Sequence, residues 1–408
     1  MHWIGRRLIL LLMIRTVSAE KLAKRVAVLG SGISGATCAN ALAEAGMEVT
    51  VFESGRGVGG RTSTRRSRKE GGFAYDHGCQ YIAPPQTESF RTALEGWITA
   101  DCVREWTGSF MEYASPASPA AATSSPTVSS GLRYVGYPAM NSISKHLLAH
   151  GNITTILQTR ACAKKTSVPG DPSWHLTAHE DGRYLGSFHY LVSSDRTSAN
   201  RADLREAPIP DYKSITAGIT SVPSLVLMLA LSTSIEGLPD SMLFPPAGEF
   251  GSLGWAARDT SKPGRARTDG KECWVVHSSP EAARSLLDSV AREEAALGKG
   301  DSSFEDTRER VREAAHDLLL RDFQAAVVRL TPTAELPKVE ESVGHRWSAA
   351  FPEGGPAHHD ALTEALYEEG FVACGDYCSA YPGKVEGAFL SGFAAAGAVV
   401  EHASRCTD

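Results

Sequence analysis

A glycine-rich turn between two short apolar runs near the amino terminus constrains this chain more than any other feature. Residues 26–29 predict a short buried strand, residues 36–45 an alanine-rich helix, and residues 49–52 a second strand that ends at Glu53. The glycines of the turn follow the G-x-G-x-x-G spacing and are Gly30, Gly32 and Gly35. The first allows a sharp turn, the second lets a pyrophosphate approach the backbone, and the third lets the helix pack closely.

The residues after this turn complete a dinucleotide-binding pattern. The predicted helix supplies unpaired backbone N–H groups and a positive dipole end on which a pyrophosphate would lie. Glu53 stands 18 residues after Gly35, where a carboxylate accepts hydrogen bonds from ribose hydroxyls. Strand, turn, helix, strand and acid in this order predict a Rossmann-like unit, although the unit alone does not distinguish NAD(P) from FAD.

Three further segments extend the pattern across the chain. Residues 56–64 read Arg-Gly-Val-Gly-Gly-Arg-Thr-Ser-Thr, residues 75–81 read Tyr-Asp-His-Gly-Cys-Gln-Tyr, and Gly375-Asp376 precedes Val-Glu-Gly-Ala-Phe-Leu-Ser-Gly at 385–392. In this order they resemble the flavin amine oxidase superfamily and, within it, the renalase-like branch. The matching segments of that branch enclose one FAD, so the resemblance implies FAD as the cofactor. It runs from about residue 24 to about residue 400 and includes residues 134–141, 255–265 and 345–347.

Each of these segments also has a physical role. Gly59 and Gly60 free two backbone N–H groups, and Arg61 adds a cation where a pyrophosphate or flavin ring is held. Asp376 follows an apolar strand and suits the ribityl hydroxyls, while the helix that opens near Gly387 can direct N–H groups at the flavin N1–C2=O edge. The residues expected to bind the cofactor are Gly30, Gly32, Ser34, Gly35, Glu53, Gly59, Gly60, Arg61, Gly375, Asp376, Val385, Glu386, Gly387 and Ala388.

The rest of the chain predicts an α/β (α+β) protein, in which a Rossmann-like FAD-binding domain carries an inserted mixed-sheet substrate domain. Alternating residues at 153–194 favour a β-meander, residues 222–231 and 274–277 favour strands of a second sheet, and residues 282–297 and 304–330 favour amphipathic helices. We expect the FAD-binding domain at 24–95, 135–215 and 345–405, and the substrate domain at 96–134 and 216–344. Residues 114–130, rich in Ser, Pro and Ala, predict a flexible insertion.

Composition agrees with a globular enzyme and gives no sign of nucleic-acid binding. The chain has 408 residues, a net charge of −6 and only a short basic run after Arg61. Its eight cysteines lack the paired spacing of a zinc site, so Cys374 and Cys378 are interpreted as buried thiols. The run His358-His359-Asp360 is interpreted as a polar loop rather than a metal site.

The first residues have the pattern of a targeting segment. Residues 1–7 are basic, residues 8–14 are apolar, and Val17-Ser18-Ala19 suits a cleavage site, so residues 1–23 are separated from the fold. Seven apolar residues are too few to span a bilayer, and no stable membrane span is expected. Secretory entry is the first interpretation, with a plastid or mitochondrial transit peptide as the alternatives.

The residue before the last helix bears on the substrate. Amine oxidases of the monoamine and polyamine type usually carry an aromatic residue two places before the Glu of Glu-Gly-Ala, whereas this chain has Lys384. A cation there disfavours an ammonium and suits an anionic or electron-rich substrate, unless Lys384 faces solvent. Trp255 is a further pocket candidate, and Lys262 is placed either to reach flavin N5 through a water or in a surface turn set by Pro263-Gly264.

The resemblance implies an FAD-dependent oxidoreductase of the renalase-like type. Its expected substrate is a small molecule of the dihydronicotinamide type, oxidised by hydride transfer with O2 as acceptor. A flavin amine oxidase acting on a primary or polyamine, and a low-turnover FAD-binding redox protein, are the alternatives. Tyr377, Ala349 and residues 193–198 depart from the pattern of near relatives, so the substrate can differ from theirs. The sequence does not determine the oligomeric state.

Overall fold

The computed structural model describes residues 24–67, 72–113, 127–129, 131–165, 174–194, 218–245, 248–296, 304–332, 335–353 and 370–405. Several predictions made from the sequence concern residues outside these ranges. They concern the targeting segment at 1–23, residues 114–126 of the low-complexity run, residues 195–198, and His358-His359-Asp360.

A five-stranded parallel sheet forms the part of the fold that contains the glycine-rich turn. Its strands, in spatial order, are β19 (Phe371–Ala373), β13 (Tyr190–Ser193), β1 (Arg25–Leu29), β2 (Glu48–Phe52) and β9 (Ile153–Ile156). Helix α1 (Ile33–Glu44) connects β1 to β2 and packs against α6 (Val385–Arg405). Both helices contribute small side chains to one core with Val26 and Val28, which confirms the predicted strand–helix–strand unit.

A three-stranded antiparallel meander lies between β9 and β13 in the chain. It consists of β10 (Ala161–Lys165), β11 (Trp174–Ala178) and β12 (Tyr184–Phe188). The predicted meander was too long, because its first and last strands belong to the parallel sheet instead. All four residues of β13 are buried, a pattern typical of a strand covered on both faces of a parallel sheet.

A seven-stranded mixed sheet forms the second half of the fold. Its strands, in spatial order, are β18 (Val339–Glu353), β14 (Thr220–Leu231), β17 (Glu272–Ser278), β16 (Leu253–Arg258), β15 (Ser241–Leu243), β6 (Phe110–Glu112) and β7 (Thr127–Val128). Only the β15–β6 pair is parallel. Helices α4 (Pro280–Ala296) and α5 (Phe304–Leu330) cover one face, where Trp274 packs on Phe323. Both helices and strands β14 and β17 were predicted.

The opposite face of the mixed sheet meets residues from the dinucleotide-binding half. Phe73 and Tyr75 pack there against Val226, Met228 and neighbouring side chains of the sheet. The remaining elements connect the two halves and are β3 (Arg65–Arg66), β4 (Ala74–Tyr75), α2 (Glu88–Thr99), β5 (Val103–Glu105), β8 (Tyr134–Gly136) and α3 (Ser142–Leu147). The junction between the two halves is therefore the place where functional residues from both are expected to meet.

Two smaller expectations can be compared with the structure. Residues 127–128, at the end of the segment predicted as a flexible insertion, form the edge strand β7 and pair with Met111 and Glu112, so the prediction was wrong for these residues. Cys374 and Cys378 are buried free thiols, as interpreted. Of the helices within the described ranges, none is long and apolar enough to cross a bilayer.

Candidate functional site

Two positions of the glycine-rich turn require glycine, one for its backbone angle and one for a close backbone contact. Gly30 has a φ of +96°, a conformation that favours glycine, and a Cβ at Gly35 would lie 2.2 Å from the Gly30 carbonyl oxygen. Gly32 is different, because the atom nearest to a Cβ there would be the Gly59 oxygen at 3.9 Å. Gly32 also precedes α1 without a side-chain cap, and the first turn of α1 carries no acid. This open helix end is suited to an anion.

The second glycine-rich segment lies directly beside the first. Gly32 and Gly59 form an isolated parallel bridge, and the Gly59 N–H donates to the Ser31 oxygen at 3.1 Å. Glu53 is buried at the end of β2, where its carboxylate accepts from the Ser31 N–H at 3.0 Å and from the Gly55 N–H at 2.6 Å. The turn, the second glycine segment and the acid are therefore held in one rigid unit.

Arg61 and Asp376 contact each other, although the sequence assigned them separate roles. The guanidinium donates to both carboxylate oxygens of Asp376, at 2.8 and 2.5 Å, and to the Ala350 oxygen at 3.1 Å. Asp376 also accepts from the Gly383 N–H at 3.1 Å. The Asp376 side chain is buried and that of Arg61 is 40% exposed, so Arg61 keeps an accessible surface beside the second glycine segment.

The beginning of α6 is packed tightly under this ion pair. A Cβ at Gly387 would lie 2.0 Å from the Tyr381 oxygen, and Val385, Glu386 and Gly387 are buried, whereas Ala388 is partly exposed. Glu386 accepts from the backbone N–H groups of Gln86 and Thr87, at 3.0 and 2.7 Å, and so ties α6 to the start of α2. Gly375 has a φ of +147° and precedes Asp376 in the turn after β19.

Ser34 connects α1 to the middle of α6. Its hydroxyl oxygen is buried and has no hydrogen-bond partner among the described residues. A Cβ at Gly392 would lie 2.2 Å from the Ser34 carbonyl oxygen. The two helices therefore approach each other to backbone contact at this point, one residue before Gly35.

Lys262 lies in a fully buried ionic cluster, so the surface-turn alternative is wrong. Its ammonium is 2.6 Å from Asp259 and 3.6 Å from Asp76, and the Asp76 carboxylate also accepts from Arg265 at 2.6 Å. Burial opposes ionisation of Asp76, but Lys262 and Arg265 together hold its pKa below the ordinary value. Burial raises the pKa of Asp259 against the attraction of Lys262.

Aromatic and imidazole side chains line the facing side of the mixed sheet. Trp255 and Tyr81 lie 5.6 Å apart, and the Trp255 Nε1 is buried without a partner in the described part of the chain. His77 lies 5.0 Å from His345, and Trp347 donates to the His77 oxygen at 2.9 Å. Burial, with Arg65 as the next contribution, lowers the pKa of His77 to about 4, and burial with His77 lowers that of His345 to about 3. These rings remain neutral at physiological pH.

Lys384 immediately precedes α6 and is exposed. It has no carboxylate within ion-pair distance among the residues that the structure describes. Trp255, in contrast, is partly buried between the two halves. The structure therefore places Arg61, Asp376 and the start of α6 together, Trp255 packs in one cluster with Val385 and Phe389 of α6, and Lys384 is exposed just before that helix.

Two parts of the chain match models of known families. Residues 28–95 match an NAD(P)-binding Rossmann-like domain, and residues 296–400 match flavin containing amine oxidoreductase. These two matches together cover less than half of the chain, and they make it similar to the flavin amine oxidase superfamily. FAD is the cofactor of this superfamily, and its members are oxidoreductases.

Curated proteins are similar to a short part of the chain, and solved structures are similar to its fold. L-amino acid oxidases of Bothrops pictus and Lachesis muta are each 49% identical over 51 residues, which are 12% of this chain and 10% of theirs. The chain thus matches about a tenth of the length of these curated relatives. A redesigned putrescine oxidase shares the fold, with a TM-score of 0.60 and 13% identity over 93% of this chain and 99% of that one. An oxidoreductase from Methanosarcina mazei has a TM-score of 0.58 and 12% identity over 91% of this chain and 99% of its own.

The residues around the two glycine segments fit FAD at the adenosine and pyrophosphate end. A Cβ at Gly57 would meet no atom within 4 Å and one at Gly32 only the distant Gly59 oxygen, so the surface between the glycine segments is open. The uncapped start of α1 supplies N–H groups to a pyrophosphate, and Glu53 offers carboxylate oxygens to a ribose. Arg61 and the start of α6 lie farther along the same surface, where the flavin would follow.

Asp376→Asn is expected to weaken FAD binding about ten- to a hundred-fold, since it removes one buried, charge-assisted contact. Asn has the same shape but turns a donor toward the Arg61 guanidinium, so Arg61 loses its anchor. The measurement is an FAD titration of the apoprotein, followed by quenching of flavin fluorescence. Asp101→Asn, which alters an exposed pair with Arg104, is the control and should leave FAD affinity unchanged. Equal affinities for all three proteins would exclude Asp376 from cofactor binding.

The sequence analysis missed several residues of the buried cluster and the ring wall. Asp76 and Gln80 lie in the segment at 75–81, and Asp259 and Arg265 lie in the segment at 255–265, but none of them was given a role. The i, i+3 spacing of Asp259 and Lys262 was a signal, because a carboxylate one helical turn from a lysine is placed to neutralise it. His277 carried no comparable signal, since its neighbours Gln80 and Ser224 are distant in sequence.

Proposed function

We propose that this protein is an FAD-dependent oxidoreductase of the renalase-like type, which oxidises a small dihydronicotinamide-type molecule with O2 as acceptor. The observation that supports this best is the cation at residue 384, where an exposed lysine without an ion-pair partner among the described residues borders the start of α6. A free ammonium there attracts anionic groups and repels a protonated amine.

A second group of cations supports an anionic substrate. Arg65 is partly buried, and burial followed by the nearby Arg312 and Arg56 lowers its pKa. The repulsion by Arg312 and Arg56 adds to burial and is opposed by the Glu341 carboxylate. Arg65 also contributes, after burial, to the lowered pKa values of His77 and His345, so its charge is close to these two rings. Phosphate groups of a dinucleotide would be drawn to this side.

Bound FAD supplies the acceptor for the hydride. The protein's part is to hold a flat substrate against the flavin and to exclude water. Trp255 and Tyr81, whose rings are inclined to each other by 34°, offer aromatic faces for this purpose. The imidazoles of His77 and His345 are already neutral at physiological pH. Neither has to lose a proton when an uncharged dihydropyridine ring binds beside them.

A flavin amine oxidase acting on a primary or polyamine is the second candidate. The similarity to putrescine oxidase and to L-amino acid oxidases favours it, and Trp255 and Tyr81 are residues on which an ammonium can lie. However, the Arg133 guanidinium lies 4.8 Å from the Tyr81 ring and 5.6 Å from the Trp255 ring. The protein's own cation thus uses part of the aromatic surface that an amine would need. A low-turnover FAD-binding redox protein is the third candidate.

Anaerobic reduction of the flavin separates these candidates. The yellow holoprotein is mixed with borohydride-isomerised NAD(P)H, or with a panel of primary amines and polyamines, and its absorbance is followed. Bleaching by the dihydronicotinamide isomers supports the proposal. Bleaching by amines would establish the second candidate, and bleaching by neither would favour the third.

Lys384→Tyr tests the cation directly. The variant should bind dihydronicotinamide dinucleotides roughly three- to ten-fold more weakly, because an exposed charge contact is screened by water. It should also relieve the repulsion of protonated amines. Apparent affinities come from the substrate dependence of anaerobic flavin reduction in both proteins. Lys164→Tyr, an exposed lysine on β10, is the matched control. Unchanged dinucleotide reduction in Lys384→Tyr would mean that Lys384 takes no part in binding.

A further inference from the structure

Gln80 connects the buried ionic cluster to the ring wall of the mixed sheet. Its Oε1 accepts from the Lys262 ammonium at 3.3 Å, and its Nε2 lies 3.2 Å from the Nε2 of His277. The other ring nitrogen of His277, Nδ1, lies 3.3 Å from the Ser224 hydroxyl. A continuous chain of polar contacts thus runs from Lys262 through Gln80 and His277 to Ser224.

The orientation of the Gln80 amide follows from its neighbours. An ammonium only donates, so the atom that faces Lys262 must be the amide oxygen. The amide nitrogen faces the carbonyl oxygens of Asp76 and Gly78, the second at 3.1 Å, and these oxygens only accept. A flipped amide would place oxygen against both carbonyls and nitrogen against the ammonium. Three independent contacts therefore hold the amide in one orientation.

This orientation determines which nitrogen of His277 carries the proton. The Gln80 nitrogen only donates, and one of its two hydrogens serves His277 when the Asp76 and Gly78 oxygens share the other; the His277 Nε2 then accepts and carries no hydrogen. A neutral ring then has its hydrogen on Nδ1, which donates to the Ser224 hydroxyl. Ser224 passes its own hydrogen to the Leu225 oxygen at 3.4 Å. A charged imidazolium would direct an N–H at the amide N–H groups, so the same contacts oppose protonation.

His277 stands in the row of side chains that faces the dinucleotide-binding half. On the sheet it is directly opposite Trp255 on one side and Val226 on the other, and Val226 is opposite His345. Directly opposite residues of an antiparallel pair point to the same face. His277 keeps accessible surface in this row, as does Trp255. It therefore forms part of the wall beside the proposed substrate.

We propose that Gln80 is a positioning residue that locks His277 as the neutral Nδ1–H tautomer and thereby keeps the ring opposite Trp255 uncharged. Lys262 acts in turn on Gln80, because its buried ammonium fixes the orientation of the Gln80 amide. This inference deepens the proposed function, because a neutral imidazole at residue 277 suits a neutral dihydropyridine ring. The tautomer itself is independent of any particular substrate.

The direct test is the tautomer of His277 in the holoprotein labelled with 15N-histidine. The ring nitrogens are correlated with the ring carbon-bound protons, and the His277 signals are assigned by their loss in His277→Gln. The expected pattern is an Nε2 shifted far downfield, as in a nitrogen without hydrogen, and a protonated Nδ1. The opposite pattern, or an imidazolium pattern at neutral pH, overturns the proposal without any variant.

Gln80→Glu supplies the second arm. Lys262 keeps the new carboxylate ionised, and a carboxylate only accepts, so His277 should change to a ring protonated at Nε2. Gln324→Glu, an exposed site on α5, adds the same charge and should leave the His277 signals unchanged. An unchanged Nε2 signal in Gln80→Glu overturns the role of Gln80. These signals need no turnover, so a failure of the substrate assay and a failure of this inference are seen separately.

Discussion

Lys262→Met is expected to lower the free energy of unfolding by about 3 to 5 kcal/mol, because it leaves the buried Asp259 carboxylate without a cation. Methionine has nearly the length of lysine and no charge, so packing changes little. The ammonium that it replaces is fully buried, 2.6 Å from Asp259 and 3.6 Å from Asp76. Arg265 remains on Asp76 but is not paired with Asp259. Denaturant unfolding of the purified holoprotein measures the loss.

Two further variants separate the buried charge from other effects. Lys271→Met removes the same group from a partly exposed pair with Glu340 and should change stability little. Combining Lys262→Met with Asp259→Asn removes both charges and should recover part of the loss, since Asn keeps the volume of Asp. If Lys262→Met alone proves as stable as the unaltered protein, Asp259 is already protonated in the native state.

The burial of Lys262 shows where sequence reasoning stops. Pro263-Gly264 predicts a turn, and Gly264 does adopt a φ of +78°. A Cβ at Gly264 would lie 2.7 Å from the Tyr137 ring, so the turn is covered by another part of the chain. Asp76, an ionic partner of Lys262, is also distant in sequence. Turn chemistry is local and was predicted, whereas the cover and the partner are long-range contacts that one sequence does not reveal.

The same distinction holds elsewhere in the fold. The bounds of α5 were predicted from apolar periodicity alone, and the glycine turn from its spacing, because both are local patterns. Arg61 and Asp376 were each selected, but their mutual contact joins segments 315 residues apart. Strand β13 was placed in the meander because alternation does not show which sheet a strand joins. Local chemistry was thus predictable, and the assembly of the site was not.

The contact between α1 and α6 carries the second large expected effect. In Gly392→Ala the new methyl group would lie 2.2 Å from the Ser34 carbonyl oxygen, a backbone atom that moves only if a helix moves. Overpacking of this kind costs about 1 to 3 kcal/mol, which exceeds the roughly 1 kcal/mol that alanine gains over glycine inside a helix. We therefore expect a net loss of stability, measured by denaturant unfolding.

The same displacement should reach the cofactor. Ser34 lies in the first turn of α1, so moving α6 away moves the N–H groups that face the pyrophosphate. Gly392→Ala should therefore release FAD more readily during gel filtration. Gly96→Ala on α2 is the matched control, because a Cβ there meets no atom within 4 Å, and it should raise stability by about 0.5 to 1 kcal/mol. Suppose that Gly392→Ala were as stable as Gly96→Ala and kept its FAD equally well. The two helices would then separate without cost in free energy, and their backbone contact would not hold the cofactor end of α1 in place.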